Sequence, residues 1–591
     1  MTSKKYLKQV FFLLAEEKKK IPGLVVLFIL ASFFDVIGIG LVGPYLALVV
    51  DNTPSDNAVI NWFIQNNISG NYDTILIILG LLLVLVFTIK ATASIIINRK
   101  IFIFANQQVV RLRTRLMEIY QDMPYTDHIQ RNSSDYIQAT QGYAVQFIGI
   151  IITLSKWICE GIAAISIFIL LIYSQGLIPI FLIITIGIII YLYNLFFSPI
   201  VKKAGEIAPI QNSHAIKGIS ESMEGFKEIK TLGIENYFTR KVHDASQIFS
   251  EQRCKEQIIA FAPRQILESI IIFFIVTLVV GSLLMGNNTD SIIPAIGMFG
   301  VATARLLPSA TILARGLTTL QFSRYGISVL YNDVKKYGSN KRIKTRSTNG
   351  IENSNKFKDF KLINVSYKYP GSAINSLQNI SINIKQGESI GIIGSSGAGK
   401  TTMIDLILGL LVPEQGSLLY NGSPLNEDMD KWKSKIAYIP QQIFLIDDTL
   451  RRNIALGEED AIIDEKEIME AITQSQLSTL INELPLGLDT VLGERGVRLS
   501  GGQRQRVALA RAFYYGREVF VLDEATSALD TKTEKQIVAE INRLKNQKTI
   551  IVIAHRLSTV KTCDIIYKIE KGKIVSADTP SKMLAVETSP L

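Results

Sequence analysis

The sequence predicts two folds in one chain: an α-helical six-span transmembrane domain, followed by an α/β domain on a mostly parallel sheet. Three observations lead there. Hydrophobic residues make up 48% of the 591 and mean hydropathy is +0.27, while only 19% are charged. The long apolar runs lie almost entirely before about residue 325. From Phe357 onward, short β-type runs (Ser389–Ile393, Ile436–Ile439, Val519–Leu522, Thr549–Ile553) alternate with helical ones. That alternation is the pattern of a parallel sheet flanked by helices.

A bilayer-spanning helix needs about 20 mostly apolar residues. Six segments qualify: Leu24–Val50, Ile75–Ile97, Phe147–Ser174, Leu177–Phe197, Ile258–Leu284 and Ile292–Leu320, the last interrupted by Arg305, Pro308 and Arg315. Orientation follows from Lys and Arg, which accumulate on the cytoplasmic side. Asp51–Asp73, Gln175–Gly176 and Met285–Ser291 contain neither residue, whereas the opposite side carries Lys4, Lys5, Lys8, Arg99, Lys100, Arg111, Lys202, Lys203 and Lys255, among others. Both termini are therefore expected in the cytosol, in a multi-pass membrane protein. In the first cytoplasmic connection Val109, Leu112, Leu116, Ile119 and Tyr120 recur at helical spacing, so the spans are expected to continue as helices into the cytosol. Turns fall at Met123-Pro124-Tyr125 and around Gly225-Phe226. Tyr6–Ala15 with flanking lysines reads as an amphipathic helix on the membrane surface rather than a cleavable signal.

A Gly/Ser/Asn/Lys stretch over 338–356 has loop composition and separates a transmembrane domain, 1–337, from a soluble domain, 357–591. The net charge of +10 goes with topology, because no basic stripe with interleaved aromatics is present; no nucleic-acid partner is expected. Cys159, Cys254 and Cys563 are far apart and odd in number, which gives neither a disulfide framework nor metal-ligand spacing.

Chemistry concentrates in the second domain. Gly394, Ser395, Ser396, Gly397, Ala398, Gly399, Lys400 and Thr401 follow an apolar strand and lead, through Thr402, into a helix expected over Thr402–Leu411. Glycines there let backbone N–H groups turn around phosphate oxygens, a Lys neutralises β/γ charge, and a Thr hydroxyl holds Mg²⁺. Asp523 ends the strand Val519–Leu522 as a further Mg²⁺ ligand, and Glu524 is placed to polarise an attacking water. Between these lies Leu499-Ser500-Gly501-Gly502-Gln503, whose hydroxyl and backbone donors at a helix N-terminus make an anion site.

With these motifs in this order, residues 357–580 resemble the nucleotide-binding domain of ABC transporters. The resemblance implies that Tyr369 stacks on adenine and that Gln441, with Thr401 and Asp523, senses Mg²⁺. It implies that Gly493–Gly496 is the exporter loop that contacts the coupling helices. Leu499–Gln503 is then the signature, acting on ATP held by a second copy of the chain, and Ser527, Ala528, Leu529 and Asp530 form the loop after the catalytic Glu524. His555 is the switch that contacts the γ-phosphate. ATP and Mg²⁺ are the implied cofactors, a homodimer the implied assembly, and the fused spans resemble the exporter-type half-transporter, with coupling helices near Tyr125 and Phe226.

Polar groups in the spans bear on cargo, because charges at mid-membrane usually face a cavity or snorkel. Lys90, Arg264, Arg305 and Arg315 are candidate cavity residues, and Arg264 and Arg305 have helix-bending Pro263 and Pro308 close by. Lys156 and Glu160, four apart, read as a mutually neutralising pair. Ala58–Ile64 in the first external loop reads as a short interfacial helix anchored by Trp62. Together with Phe34–Gly40 and Pro263–Glu268, that stretch resembles PglK-type lipid-linked oligosaccharide flippases. The implied activity is ATP-driven translocation of a polyprenyl-pyrophosphate glycan from the cytosolic leaflet outward, for protein glycosylation. Export of lipid A, peptide or drug-like amphiphiles is an alternative, and an ATP-gated channel or regulatory subunit is another of a different class.

Overall fold

The structure is a computed structural model that describes residues 3–20, 72–175, 178–284, 289–338, 356–523, 542–554 and 560–587, with isolated positions between 22 and 45 and Ala539; the side chains of 291–305 are not among those described. The chain divides into two compact units: residues 1–123 with 130–342, and residues 124–129 with 343–591.

The first unit is helical. Helix α1 (Ser3–Leu14) buries Tyr6, Gln9, Val10, Leu13 and Leu14 and exposes Lys4, Lys5, Lys8, Phe11 and Phe12. Helix α2 runs over Tyr72–Asp122 without a break, 51 residues and thus about 75 Å at 1.5 Å per residue, well beyond a bilayer's thickness. After α3 (Tyr125–His128), helix α4 (Ser133–Ile137) passes through a π-helical turn, Gln138–Tyr143, into α5 (Ala144–Gln175). Helix α6 is Ile178–Glu224, α7 Phe226–Leu232, α8 Glu235–Leu284, α9 Thr289–Phe322 and α10 Arg324–Tyr337.

Among the described residues, four stretches are long and apolar enough to cross a membrane: Leu76–Asp122, Ser133–Ile169, Ile184–Glu224 and Glu235–Gly281. Few residues of their apolar windows are buried, as suits side chains whose solvent is lipid. Most of the expected first span and the whole external loop, including Trp62, lie outside the described residues. The expected sixth span falls in α9.

Polar contacts tie together the helical extensions beyond the apolar stretches. The π turn's carbonyl at Thr140 accepts from Arg113 Nε at 2.9 Å, and Gln138 Oε1 accepts from Asn212 at 2.7 Å. Asp333 of α10 receives both Arg131 (2.9 Å) and the Tyr120 hydroxyl (2.7 Å), with the guanidinium over the rings of Tyr120 and Tyr136. A half-buried pair with this many bonds is worth more than an exposed one.

The second unit holds two sheets. A four-stranded antiparallel sheet has the order β2 (Leu377–Lys385), β1 (Asp359–Tyr367), β4 (Gln415–Tyr420), β5 (Ser423–Pro424). A six-stranded sheet has the order β10 (Lys573–Asp578), β9 (Ile565–Glu570), β3 (Ser389–Gly394), β8 (Thr549–Ile553), β7 (Val519–Asp523), β6 (Ile436–Ile439), parallel apart from the β9–β10 hairpin. Strands β7 and β8 read as continuous apolar runs because both faces are covered. Helix α11 (Lys400–Ile407) is shorter than the expected Thr402–Leu411. Gly409, at φ 70°, ends it: the Gly409 and Leu410 N–H groups bond back to Leu406 and Asp405 carbonyls at 3.0 and 2.8 Å. This is a Schellman ending, which needs the left-handed conformation that glycine takes without penalty. Trp432 of α12 (Met429–Lys435) is fully buried, stacks on Phe360 and donates to the Ile407 carbonyl at 2.7 Å, which satisfies an orphan acceptor of α11.

Candidate active site

Parallel strands bring their carboxyl ends to one edge, where open α/β sheets bind ligands. There Gly394 ends β3 and Asp523 ends β7, and Asp523 stands opposite Ile553 of β8. The loop Gly394–Gly399 leaves Ser395, Ser396 and Gly397 exposed, while Ala398 is buried. Its ends are clamped: the Gly572 N–H donates to Ala398 O at 3.0 Å, and Gly572 O accepts from Gln378 at 2.8 Å. Gly399 has φ 107°, and a Cβ there would stand 2.7 Å from Ser376 O. Any side chain would clash with the Ser376 backbone that packs against the loop. Lys400 Nζ donates to Gly394 O (2.8 Å) and Ser395 O (3.0 Å), which holds the ammonium over the loop despite its burial. Thr401 is exposed at the first turn of α11, and Thr402 donates to the Tyr369 hydroxyl at 3.4 Å. Tyr369 stands edge-on to Tyr367.

The Asp523 carboxylate accepts from the Tyr438 hydroxyl at 3.0 Å. Gln441, three residues beyond Tyr438, is exposed. Thr401, Asp523 and Gln441 offer hydroxyl, carboxylate and amide oxygens, the hard donors that Mg²⁺ prefers; with the loop's N–H groups and Lys400, the set fits a Mg²⁺-bound polyphosphate. Glu524, Ser527–Asp530 and His555 lie outside the described residues.

The signature opens α13 (Gly501–Tyr514) with a capping box: Ser500 Oγ accepts from the Gln503 N–H (3.3 Å), and Gln503 Oε1 accepts from the Ser500 N–H (2.7 Å). Gln503 thus has a structural duty that the motif reading missed; the Ser-x-x-Gln spacing was its signal. Leu499 is buried and its carbonyl accepts from Arg504 at 2.9 Å, so Ser500 is presented at a fixed point. Gly501 and Gly502 follow in the first turn, and Arg495 in the preceding Gly493–Gly496 loop is left-handed (φ 53°).

Two further residues stand at the site: Tyr125, which the sequence placed only near a coupling helix, and Asp405, which it did not single out. Tyr125 of α3, from the turn at Met123-Pro124-Tyr125, packs against the core beneath the ATP-site loop, near Asp405 and Tyr369. Asp405, buried on α11, is pushed up to about 6 from the usual 3.8, first by burial and then by the charge of Asp523. With the folded value raised, its contribution to stability is full below the unfolded value and lost as pH rises through about 6. Asp405→Asn should therefore raise the apparent Tm of the nucleotide-free protein by about 2–4 °C at pH 7.5, with a gain only about a third as large near pH 4.5. Thermal unfolding at both pH values checks this; an equal gain at both would exclude ionisation of Asp405 as the cause.

The four candidate cavity residues sit on three helices, Arg305 and Arg315 sharing α9. Lys90 (α2) lies over the Phe87 ring at 5.1 Å, Arg264 (α8) pairs with Glu268 at 3.0 Å, and Arg315 (α9) is within electrostatic reach of Glu256. The Arg305 side chain is outside the described residues. Lys156 lies over the Phe102 ring and Glu160 accepts from Ser309 at 2.6 Å, partners that the four-residue spacing did not suggest.

A phosphate cradle, a Mg²⁺ donor set and a capped signature helix, in one chain with helices that cross a membrane, define an ATP-driven membrane transporter. Residues 377–527 match the family described as ABC transporter, and residues 23–302 match the ABC transporter transmembrane region. The chain belongs to the ABC transporters: it is an exporter-type half-transporter, a helical transmembrane domain fused to a P-loop ATPase. It binds ATP with Mg²⁺ and couples ATP hydrolysis to transport. It is 27% identical over 564 residues to the ATP-dependent lipid A-core flippase of Salmonella typhimurium, covering 92% of this chain and 93% of that one. The flippase of the same name from Escherichia coli K12 is 27% identical over 563 residues, with the same coverage. A probable multidrug resistance ABC transporter ATP-binding/permease protein of Bacillus subtilis, YheI, is 38% identical over 228 residues, 38% of this chain and 39% of that one. Among solved structures, a bacterial Atm1-family ABC exporter with ATP bound superposes with a TM-score of 0.77 at 19% identity, covering 98% of this chain and 99% of that one.

Proposed function

We propose that the protein is a homodimeric flippase that moves a lipid-linked oligosaccharide, a polyprenyl-pyrophosphate glycan, from the cytosolic leaflet outward. It would do so in a bacterial inner membrane, with both termini in the cytosol. The observation that carries a lipid cargo is the similarity to lipid A-core flippases over 92% of the chain. The glycan reading rests on the short stretches that resemble PglK-type flippases and on cationic residues beside prolines within helices, Arg264 next to Pro263 and Arg305 near Pro308. Arg264 is exposed and shares its charge with Glu268, so an anionic headgroup would compete with that carboxylate. Lipid A-core or a related amphiphile is the second reading, favoured by the same similarity.

In the ATP cycle, Tyr369 stacks on the base, Lys400 neutralises the β/γ-phosphates, and Thr401, Asp523 and Gln441 hold Mg²⁺. Glu524 takes the proton of the attacking water, and His555 contacts the γ-phosphate. Ser500 to Gln503 of a second copy close on that phosphate, so two copies make two sites, with Ser527–Asp530 between them. The preserved set of Glu524, His555 and signature favours hydrolysis at both sites over an ATP-gated channel.

The cargo is tested by reconstituting the protein in proteoliposomes with either a fluorescent undecaprenyl-pyrophosphate glycan or fluorescent lipid A-core, and adding ATP-Mg²⁺. ATP-dependent movement of the first and not the second is expected, reduced at least fivefold by Arg264→Ala with Arg305→Ala. Movement of lipid A-core alone would overturn the glycan reading.

A further inference from the structure

Helix α8 contains Pro263, buried at the inner end of its apolar run. A proline has no N–H, so the carbonyl four residues earlier loses its helical partner. Here that carbonyl belongs to Ile259, itself buried. Water does not reach such a group inside a span, so a protein donor must satisfy it. The Tyr193 hydroxyl of α6 does so, donating to Ile259 O at 2.6 Å. The tyrosine ring is steadied by Phe197, 4.5 Å away between centroids, and lies among Ile190, Pro263, Leu267 and Ala314 around a small cavity. The next residue, Asn194, accepts from Gln321 of α9 at 2.6 Å. Two consecutive residues of α6 thus hold α8 and α9 through hydrogen bonds in a region where few competing partners exist.

We propose that Tyr193 is a positioning residue of the translocation machinery: its hydroxyl stands in for the N–H that Pro263 lacks, so the weak point that this missing backbone bond leaves in the continuous α8 is locked to α6. The pair α6–α8 then moves as one body during the ATP cycle. Without the hydroxyl, the unpaired Ile259 carbonyl leaves a free hinge at Pro263, and motion of one end of α8 is no longer passed to the other. The pairing is specific in a way that ordinary packing is not, because it is needed only while residue 263 is proline.

The test is a double-mutant cycle on the full-length protein in nanodiscs, read by hydrogen–deuterium exchange of α8. Tyr193→Phe removes one hydroxyl and keeps the ring. It is expected to speed exchange of amides over 259–268 by about fivefold. Pro263→Ala restores the N–H, and Tyr193→Phe in that background should add no more than about twofold. A Tyr193→Phe protein that exchanges like the wild type, or an equal increase in both backgrounds, overturns the proposal. Spin labels at exposed Lys202 of α6 and Gln257 of α8 give the second readout. Their distance should be the same in nucleotide-free and ATP-vanadate-trapped protein, and differ between those states once Tyr193 is Phe. A wild-type distance that changes between the states equally overturns it.

Discussion

Replacing Glu524 by Gln is expected to lower ATP turnover by about 10³-fold, with nucleotide affinity within a few-fold of the wild type. The amide keeps the size of the side chain but cannot take a proton from water. Binding rests on other residues: the loop clamped through Ala398 and Gly572, and Lys400 over the carbonyls of Gly394 and Ser395. Phosphate release and equilibrium binding of a fluorescent ATP analogue measure the two effects separately. Turnover that survives within tenfold would mean that another group, or water alone, accepts the proton.

The second large effect concerns Ser500. In the Glu524→Gln background, Ser500→Arg should abolish ATP-induced closure of the two ATPase units and leave ATP binding in place. The substitution breaks the Ser500–Gln503 capping box, worth about 1 kcal/mol, and fills the start of α13 with a long cation. Neither change touches Lys400 or Tyr369 of the same chain. Closure is read as the distance between spin labels, one on each copy. Closure that persists argues against a signature acting on the partner's phosphate, and loss of ATP binding would mean that it acts within its own chain. In the proposed homodimer, two-fold symmetry would make both sites fail together.

Much of this was legible because the signals are local. The run Ser389–Ile393 followed by Gly-rich residues and Lys400 predicts strand, loop and helix from spacing alone, and the strand is there as β3. The apolar stretch Ile75–Ile97 predicts a span, and the helical spacing of Val109 to Tyr120 predicts that the same helix runs on, as α2 does to Asp122. The end of α11 was placed too late because apolar Leu410 and Leu411 outweighed Gly409, whose C-cap role was readable. The neighbours of Asp405 were not readable. Asp523 lies 118 positions away, and only the sheet order brings the two carboxylates into each other's field.

By itself the sequence indicated the classes of solvent and ligand: which runs are apolar enough to span a membrane, which loop has the composition of a phosphate cradle, and which residues carry charge. Those properties follow from composition and short-range spacing, since burial of apolar surface and backbone hydrogen bonding act on neighbours in the chain. The tertiary structure alone decided the partners. Tyr193 meets the carbonyl that Pro263 frees in another helix, and Tyr438 holds Asp523 from the adjacent strand. Pro263 announces an orphan carbonyl to any reader of the sequence. Which donor satisfies it depends on how two helices pack, a long-range outcome that no local pattern encodes.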